Sequence, residues 1–392
     1  MKKRNSREKQ STLNKNKSMQ LEVFAALVGE ELELVHRPCI DIDDEQRVKG
    51  VGGGCSPSRR VLPGLVILPA LCNAHLHILD VSIAEVGEAL PLNDLVALPT
   101  GLKYKLLSRL SSAELARRVA AAAARMKRKG VLYAGVYAEL GRRGLQLVSD
   151  SMARAGVAAR ILGQPLIKDF TEYLQLLDEA KGVGLDTVFD LNPEELDELV
   201  TYARQIGGQV HVHVSETLEL YQSRDYEIVL EAAPTAAIHL TYLGKDELIE
   251  LAELGISLVY CPRSNMYHLG RLPLLSLLPE LLERTLVGIG TDNAAWIPPY
   301  VDEEIMFAYM AVHRDNRDKA EALARALLKA VTVSCTELLR LDGAVVSEGT
   351  PVDRLLAAEI PEIGWSSSPI VSIVKRLSAA PRSSLQALLA AR

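Results

Sequence analysis

Residues 65–77, LVILPALCNAHLH, stay apolar as far as Cys72 and then close on two histidines one residue apart. In an extended strand, residues i and i+2 share a face. His75 and His77 are therefore expected to point the same way, a spacing that suits a metal ion. The whole chain has only eight histidines. The pair alone decides little; its weight depends on whether this run opens a set of similar strands.

Seven further runs follow at regular intervals: 130–140 (GVLYAGVYAEL), 157–166 (VAARILGQPL), 186–191 (DTVFDL), 209–216 (QVHVHVSE), 236–243 (AAIHLTYL), 257–265 (SLVYCPRSN) and 286–293 (LVGIGTDN). Helical patterns with readable ends lie between most of them. Residues 192–208 begin with Asn192 as N-cap, Pro193 at the first helical position and acids in the first turn, and stop at Gly207. Residues 111–130 begin with Ser and Glu and end in a basic turn and Gly130, in keeping with the helix dipole. Eight strands alternating with helices predict an α/β chain, a (β/α)8 TIM barrel over residues 65–341. Residues 80–110 form a long insertion after the first strand, placed to act as a lid. Residues 20–64 and 342–392 lack the repeat and are expected to pair into a small β-sandwich domain built from both chain ends. Residues 1–19 are basic and polar, without the apolar segment of a signal peptide, and read as a disordered tail.

Composition excludes several classes. A net charge of −6 gives no nucleic-acid footprint, and no apolar run reaches the roughly 20 residues of a membrane span. Cys39, Cys55, Cys72, Cys261 and Cys335 are odd in number and form no C-x-x-C pair. They predict reduced thiols and a cytoplasmic protein. Cys72 and Cys261 read as small packing residues of the barrel.

Catalytic groups of such barrels gather at the C-terminal ends of the strands. There the sequence places His75 and His77 (first strand), His213 (fifth), His239 (sixth) and Asp292 (eighth). Three histidines and an aspartate suit Zn2+ or Fe2+. Glu216 leaves the fifth strand three residues after His213, where it could take a proton from an activated water. Asp292 could ligate and orient that water, and His239 could polarise the electrophile.

The segments PALCNAHLH, HVSET, IHLTYL, CPRSN and GIGTDN together resemble the amidohydrolase superfamily, in its cytosine-deaminase and chlorohydrolase-like branch, over residues 60–295 in order and spacing. Gly101, Leu102 and Lys103 resemble a GLK segment of small archaeal members. The resemblance implies His75, His77, His213 and Asp292 as metal ligands, Glu216 as proton shuttle and His239 as the histidine on the substrate side. The binuclear branch carries a carboxylated lysine at the end of the fourth strand. DTVFDL has none, so one divalent metal ion per chain, Zn2+ or Fe2+, is expected.

Substrate contacts are sought among Lys103 in the lid, Glu139, Arg142, Arg263, Asn265, His268, Asn293 and Trp296, all near strand ends. His211 shares a face with His213 but is read as a core residue. The expected partner is a small-molecule substrate, with no nucleic acid or membrane, and a homo-oligomer is allowed. The leading expectation is a metal-dependent aminohydrolase that deaminates a small N-heterocycle or purine- or pyrimidine-like ring. The alternative keeps the same centre and cleaves a cyclic amide, an amide or a C–Cl bond. A barrel that binds metal and ligand without turnover would have no need of Glu216, His239 and Asp292 together.

Overall fold

A computed structural model describes residues 19–53, 55 and 62–391. The segment read as a tail lies, except for Met19, outside the described residues. Eight parallel strands build the barrel: β1 Leu71–His77, β2 Val131–Ala138, β3 Ala158–Gly163, β4 Gly182–Leu185, β5 Gln209–Val214, β6 Ala236–His239, β7 Ser257–Tyr260, and β8, split into Val287–Ile289 and Asp292–Asn293. They pair in sequence order. The first half of β8 pairs with β7 and the second half with β1, which closes the sheet on itself.

LVILPALCNAHLH is two strands rather than one. Leu62–Pro69 belongs to the sheet formed by the chain ends, and Leu71–His77 opens the barrel. Leu65 and Ile67 enter the core of the end sheet, whereas Val66 and Leu68 enter that of the barrel. Both faces are covered, so the run shows no polar alternation. The fourth strand also differs from expectation. It is Gly182–Leu185, and Val188–Asp190 of the DTVFDL run is a single helical turn. Thr187 caps that turn and Asp190 answers it, so the alternating pattern there marks a capping box. The two helices read from their caps are found as Ser112–Arg128, with a Ser111–Glu114 capping box, and Pro193–Gln205, with Asn192–Glu195.

Among the described residues the end sheet is mixed and seven-stranded. Its central strand Met19–Val28 runs parallel to Leu62–Pro69 and antiparallel to Pro38–Ile42, and Leu62–Pro69 pairs antiparallel with Leu355–Glu359. Within the C-terminal tail, Pro369–Arg376 is a helix whose buried Ile370, Ile373 and Val374 join the barrel's core.

The expectation of reduced cysteines is overturned. Cys39–Cys55 and Cys72–Cys335 are disulfides with Cα atoms 5.1 and 5.9 Å apart, inside the range such bridges span. Cys261 stays free and buried. Cys72 and Cys335 are 263 residues apart in sequence, and spacing carries no sign of such a pair. The argument for a reducing compartment falls with it. Among the described residues no helix is long and apolar enough to cross a membrane.

Candidate metal centre and active site

The break in β8 sets the geometry. A side chain at Gly290 would put its Cβ 2.7 Å from the Cβ, N and O of His75, so the strand passes β1 only because that position is glycine. The next residue is stapled to β1: Thr291 N donates to the carbonyl of His75 (3.0 Å) and to Asn73 Oδ1 (3.1 Å), and Asn73 Nδ2 donates to Thr291 Oγ1 (2.8 Å). Asp292 then adopts φ +64°. His239, at the end of β6, has φ +74°, and Ser215, just past β5, has φ +46°. Left-handed backbone at non-glycine residues costs on the order of 1–3 kcal/mol and persists where its surroundings over-determine it. At Ser215 the holder is Asp225, which accepts from both the Ser215 amide and its hydroxyl.

These turns bring the strand-end residues together. Nε2 of His75 lies 3.3 Å from Asp292 Oδ1, and Nε2 of His77 lies 3.5 Å from the same oxygen. The His213 ring centroid is 4.9 Å from that of His75 and 4.7 Å from that of His239. All five side chains are buried. Among the described residues, Nε2 of His213 and of His239 has no hydrogen-bond partner, and Nε2 of His75 meets only Asp292. A buried polar atom left without a partner costs roughly 1–3 kcal/mol, so two beside that contact need a reason. Burial pulls His75 down to about 3 and His213 well below its ordinary range. Both are neutral, the form that binds metal. Burial alone would raise Asp292, but His75, His239 and His77 together hold it well below the usual carboxylate range. Imidazoles converging on one carboxylate fit a divalent cation held by His75, His77, His213 and Asp292.

Partners behind the rings assign their protons. Glu139 Oε1 lies 2.6 Å from His77 Nδ1. A carboxylate that close requires Nδ1–H, so in the neutral ring Nε2 carries the lone pair. Burial and Lys103 pull His77 down, but Glu139 and Asp292 together raise it above its ordinary value. Lys103 Nζ is 2.7 Å from the same Glu139 oxygen, 3.0 Å from Asp80 and 3.2 Å from His77 Nδ1. Burial would raise Glu139, but Lys103 and His77 draw it down to about 2, and burial lifts Asp80 to about 7 against the pull of Lys103. The opposite arrangement holds at His239. There Asn265 Nδ2 donates to Nδ1 (3.2 Å), so Nε2 carries the hydrogen and faces the cavity as a donor. Glu216 Oε1 lies 3.7 Å from that Nε2. Burial raises Glu216 above the ordinary carboxylate range, opposed by His239. The Ser264 hydroxyl donates to Asp292 Oδ2, which leaves Oδ1 to the two histidines of β1.

Residues 61–353 match the model of the amidohydrolase family. The chain belongs to that family. An uncharacterized protein of Methanocaldococcus jannaschii is 30% identical over 80% of this chain and 83% of its own length. A 5-methylthioadenosine/S-adenosylhomocysteine deaminase of Haloquadratum walsbyi is 26% identical over 82% and 76%. Among solved structures, the zinc complex of the atrazine chlorohydrolase TrzN from Arthrobacter aurescens TC1 superposes with a TM-score of 0.73 over 91% of this chain and 90% of that one, at 14% identity.

In this amidohydrolase a cavity of about 360 Å3 opens over His77, His213, His239 and Asp292. That is the low end of the range for small-molecule sites. Leu92, Val96 and Leu98 of the 80–110 insertion form an apolar wall, and Lys103 and Asn293 border the space. The other residues sought as substrate contacts lie elsewhere. Glu139 sits behind His77 and Asn265 behind His239. Arg142 is exposed and paired with Glu179 at 2.6 Å. Arg263 is held by Glu303 (2.6 Å), Glu304 (2.7 Å) and the carbonyls of Pro298 and Tyr300. His268 and Trp296 pack edge to face, 5.2 Å between centroids, and do not border the cavity. Both arginines find acids on neighbouring elements 37 to 41 residues away, a pairing invisible in sequence.

His211 is fully buried and stands outside the ligand groups. Sequence reasoning missed Asp80, Ser264 and Asp186. Asp80 closes the stretch NAHLHILD three residues after His77, the one local signal among them. Asp186 was hidden inside a run counted as a strand, and it lines the cavity with Lys168 and Thr217.

Proposed function

We propose that this amidohydrolase is a mononuclear metal-dependent aminohydrolase, which replaces the exocyclic amino group of a small N-heterocycle or purine- or pyrimidine-like ring with oxygen and releases ammonia. The observation that carries the reading is the placement of Glu216 Oε1 3.7 Å from Nε2 of His239, in a cavity that Asp292, His77 and His213 also line. The name of the Haloquadratum relative supports a deaminase. One ion, Zn2+ or Fe2+, fits the donor set. β4 ends at Leu185 and is followed by Asp186, with no lysine to bridge a second ion. The zinc of the chlorohydrolase neighbour is consistent with that metal.

A divalent ion bound here supplies Lewis-acid polarisation and makes water a stronger acid. The chain's own groups handle the protons. Glu216 accepts one from the attacking water and returns it to the leaving nitrogen, which departs as ammonia. A carboxyl raised by burial suits both halves of that transfer. His239 donates through Nε2 to the ring nitrogen or carbonyl oxygen where charge develops. Asp292 Oδ1 orients the water, with Oδ2 fixed by Ser264. Leu92, Val96 and Leu98 exclude bulk water from the far side.

The test is ammonia release by the Zn2+- or Fe2+-loaded protein against aminopurines, aminopyrimidines, pterins and their nucleosides. Glu216→Gln serves as blank. A signal absent from the blank is expected. Silence across a metal-replete panel would overturn deamination and move the reaction to cyclic amides, amides or C–Cl bonds.

A further inference from the structure

We infer that Lys103 is a positioning residue that couples the segment over the cavity to the metal ligand His77. The inference rests on the proposed metal site and adds a part to it.

Delivery of Lys103 is built into the backbone. Gly101 packs so closely that a Cβ there would lie 2.8 Å from Ala97 N and Leu95 O, and its own amide donates to the Ala97 carbonyl. The helix Leu102–Leu107 starts from this turn and drives Lys103 inward, leaving it 3% exposed. An ammonium buried to that degree is costly unless paired. Its two shortest contacts are carboxylates from two barrel elements: Asp80, just past β1, and Glu139, just past β2. Glu139 in turn holds Nδ1–H of His77. The chain of contacts therefore runs from the insertion, through one ammonium and one carboxylate, to the ring whose other nitrogen faces Asp292.

Each link has a defined effect. Lys103 holds Glu139 Oε1 in place at 2.7 Å, Glu139 fixes the tautomer and tilt of His77, and His77 then offers Nε2 without reorganisation. Coupling of this kind is reciprocal. Metal bound at Nε2 stabilises the arrangement that seats Lys103, and removing the ammonium loosens metal and covering segment together. This accounts for a lysine at the cavity edge whose short contacts are to the protein's own acids.

The experiment uses the full chain and Zn2+ alone. The Zn2+ dissociation constant is measured by chelator competition, and hydrogen exchange of residues 92–107 is followed with and without Zn2+. Wild type is compared with Lys103→Met, with Glu139→Gln, and with Lys103→Met combined with Asp80→Asn. The double variant leaves one fewer buried acid unpaired should the single one fold poorly. Zn2+ affinity is expected to fall 10- to 100-fold in each. Zn2+-dependent protection of 92–107 is expected in wild type and lost wherever Lys103 is replaced. A lysine that only stabilises the fold would lower the melting temperature and leave Zn2+ affinity unchanged, and that result would overturn the inference alone. Wild type that binds no Zn2+ would overturn the metal-site reading, and the inference with it.

Discussion

Asn265 donates its side-chain amide to Nδ1 of His239 at 3.2 Å, and so decides that His239 meets the cavity as a hydrogen-bond donor. His77 has an acceptor, Glu139, in the corresponding place, which takes Nδ1–H and turns Nε2 toward Asp292. Two imidazoles on one cavity thus receive different tasks from the residue behind each ring. Asn265→Asp reverses the partner of His239 with little change of shape. Its kcat is predicted to fall about 100-fold or more, the size of a lost proton-handling group. Metal content should stay at the wild-type level by elemental analysis. A variant with full turnover would return His239 to a packing role.

Glu216→Gln removes one exchangeable charge and keeps the volume. Turnover is predicted to drop by about 10^2 to 10^4, with metal retained. Steady-state kinetics beside metal analysis separates this from loss of the ion. Wild-type rates in a metal-replete Glu216→Gln protein would exclude the carboxylate from proton transfer.

The positions that were legible in the sequence are those whose signal is local. His75 and His77 stand out because strand periodicity is two, and Asn192 with Glu195, or Ser111 with Glu114, because a capping box spans three residues. What the sequence does not show is set by partners distant in it. Arg142 and Arg263 looked available because nothing near them in sequence is their acid. The bridge from Cys72 to Cys335 has no local trace at all. Gly182–Leu185 was overlooked as a strand because two of its four residues are glycine, while the capping box at 187–190 imitated one. Asn73 and Ser264 act through residues 218 and 28 positions away, and only the closed barrel brings them there.

Stability should carry a pH signature from Asp190. Burial lifts its carboxyl from 3.8 to about 6, Asp186 adds to that, and Lys168 at 2.6 Å opposes it. Between those two values the folded chain holds a proton that the unfolded chain has released. Unfolding free energy therefore falls as pH rises through this window, and the full penalty, on the order of 2–3 kcal/mol, is present above about 6. Urea unfolding of wild type and Asp190→Asn between pH 4 and 7 reads the difference directly. The wild-type curve should lose stability relative to the variant as pH increases. Parallel curves would show that Lys168 cancels the cost of burial.

His211 and His213 lie two residues apart on β5 and are equally plausible to the eye. Both are neutral through burial, His211 at about 3. Location separates them. His213 stacks on Tyr137, with centroids 5.2 Å apart, and joins His75 and His239 in a cluster whose ligand atoms lie within 4.8 Å of one another. His211 is one pleat deeper, with neither ring nitrogen partnered and outside every such cluster among the described residues. His213→Ala is therefore predicted to lose most of its bound metal after dialysis against dilute chelator. His211→Ala should keep near-stoichiometric metal while its melting temperature falls, because the substitution opens a void in packed barrel interior. Elemental analysis and thermal unfolding of the two variants side by side make the distinction. Metal lost from His211→Ala but held by His213→Ala would move the ion one layer down the barrel, away from Glu216 and His239, and the chemistry proposed for that pair would go with it.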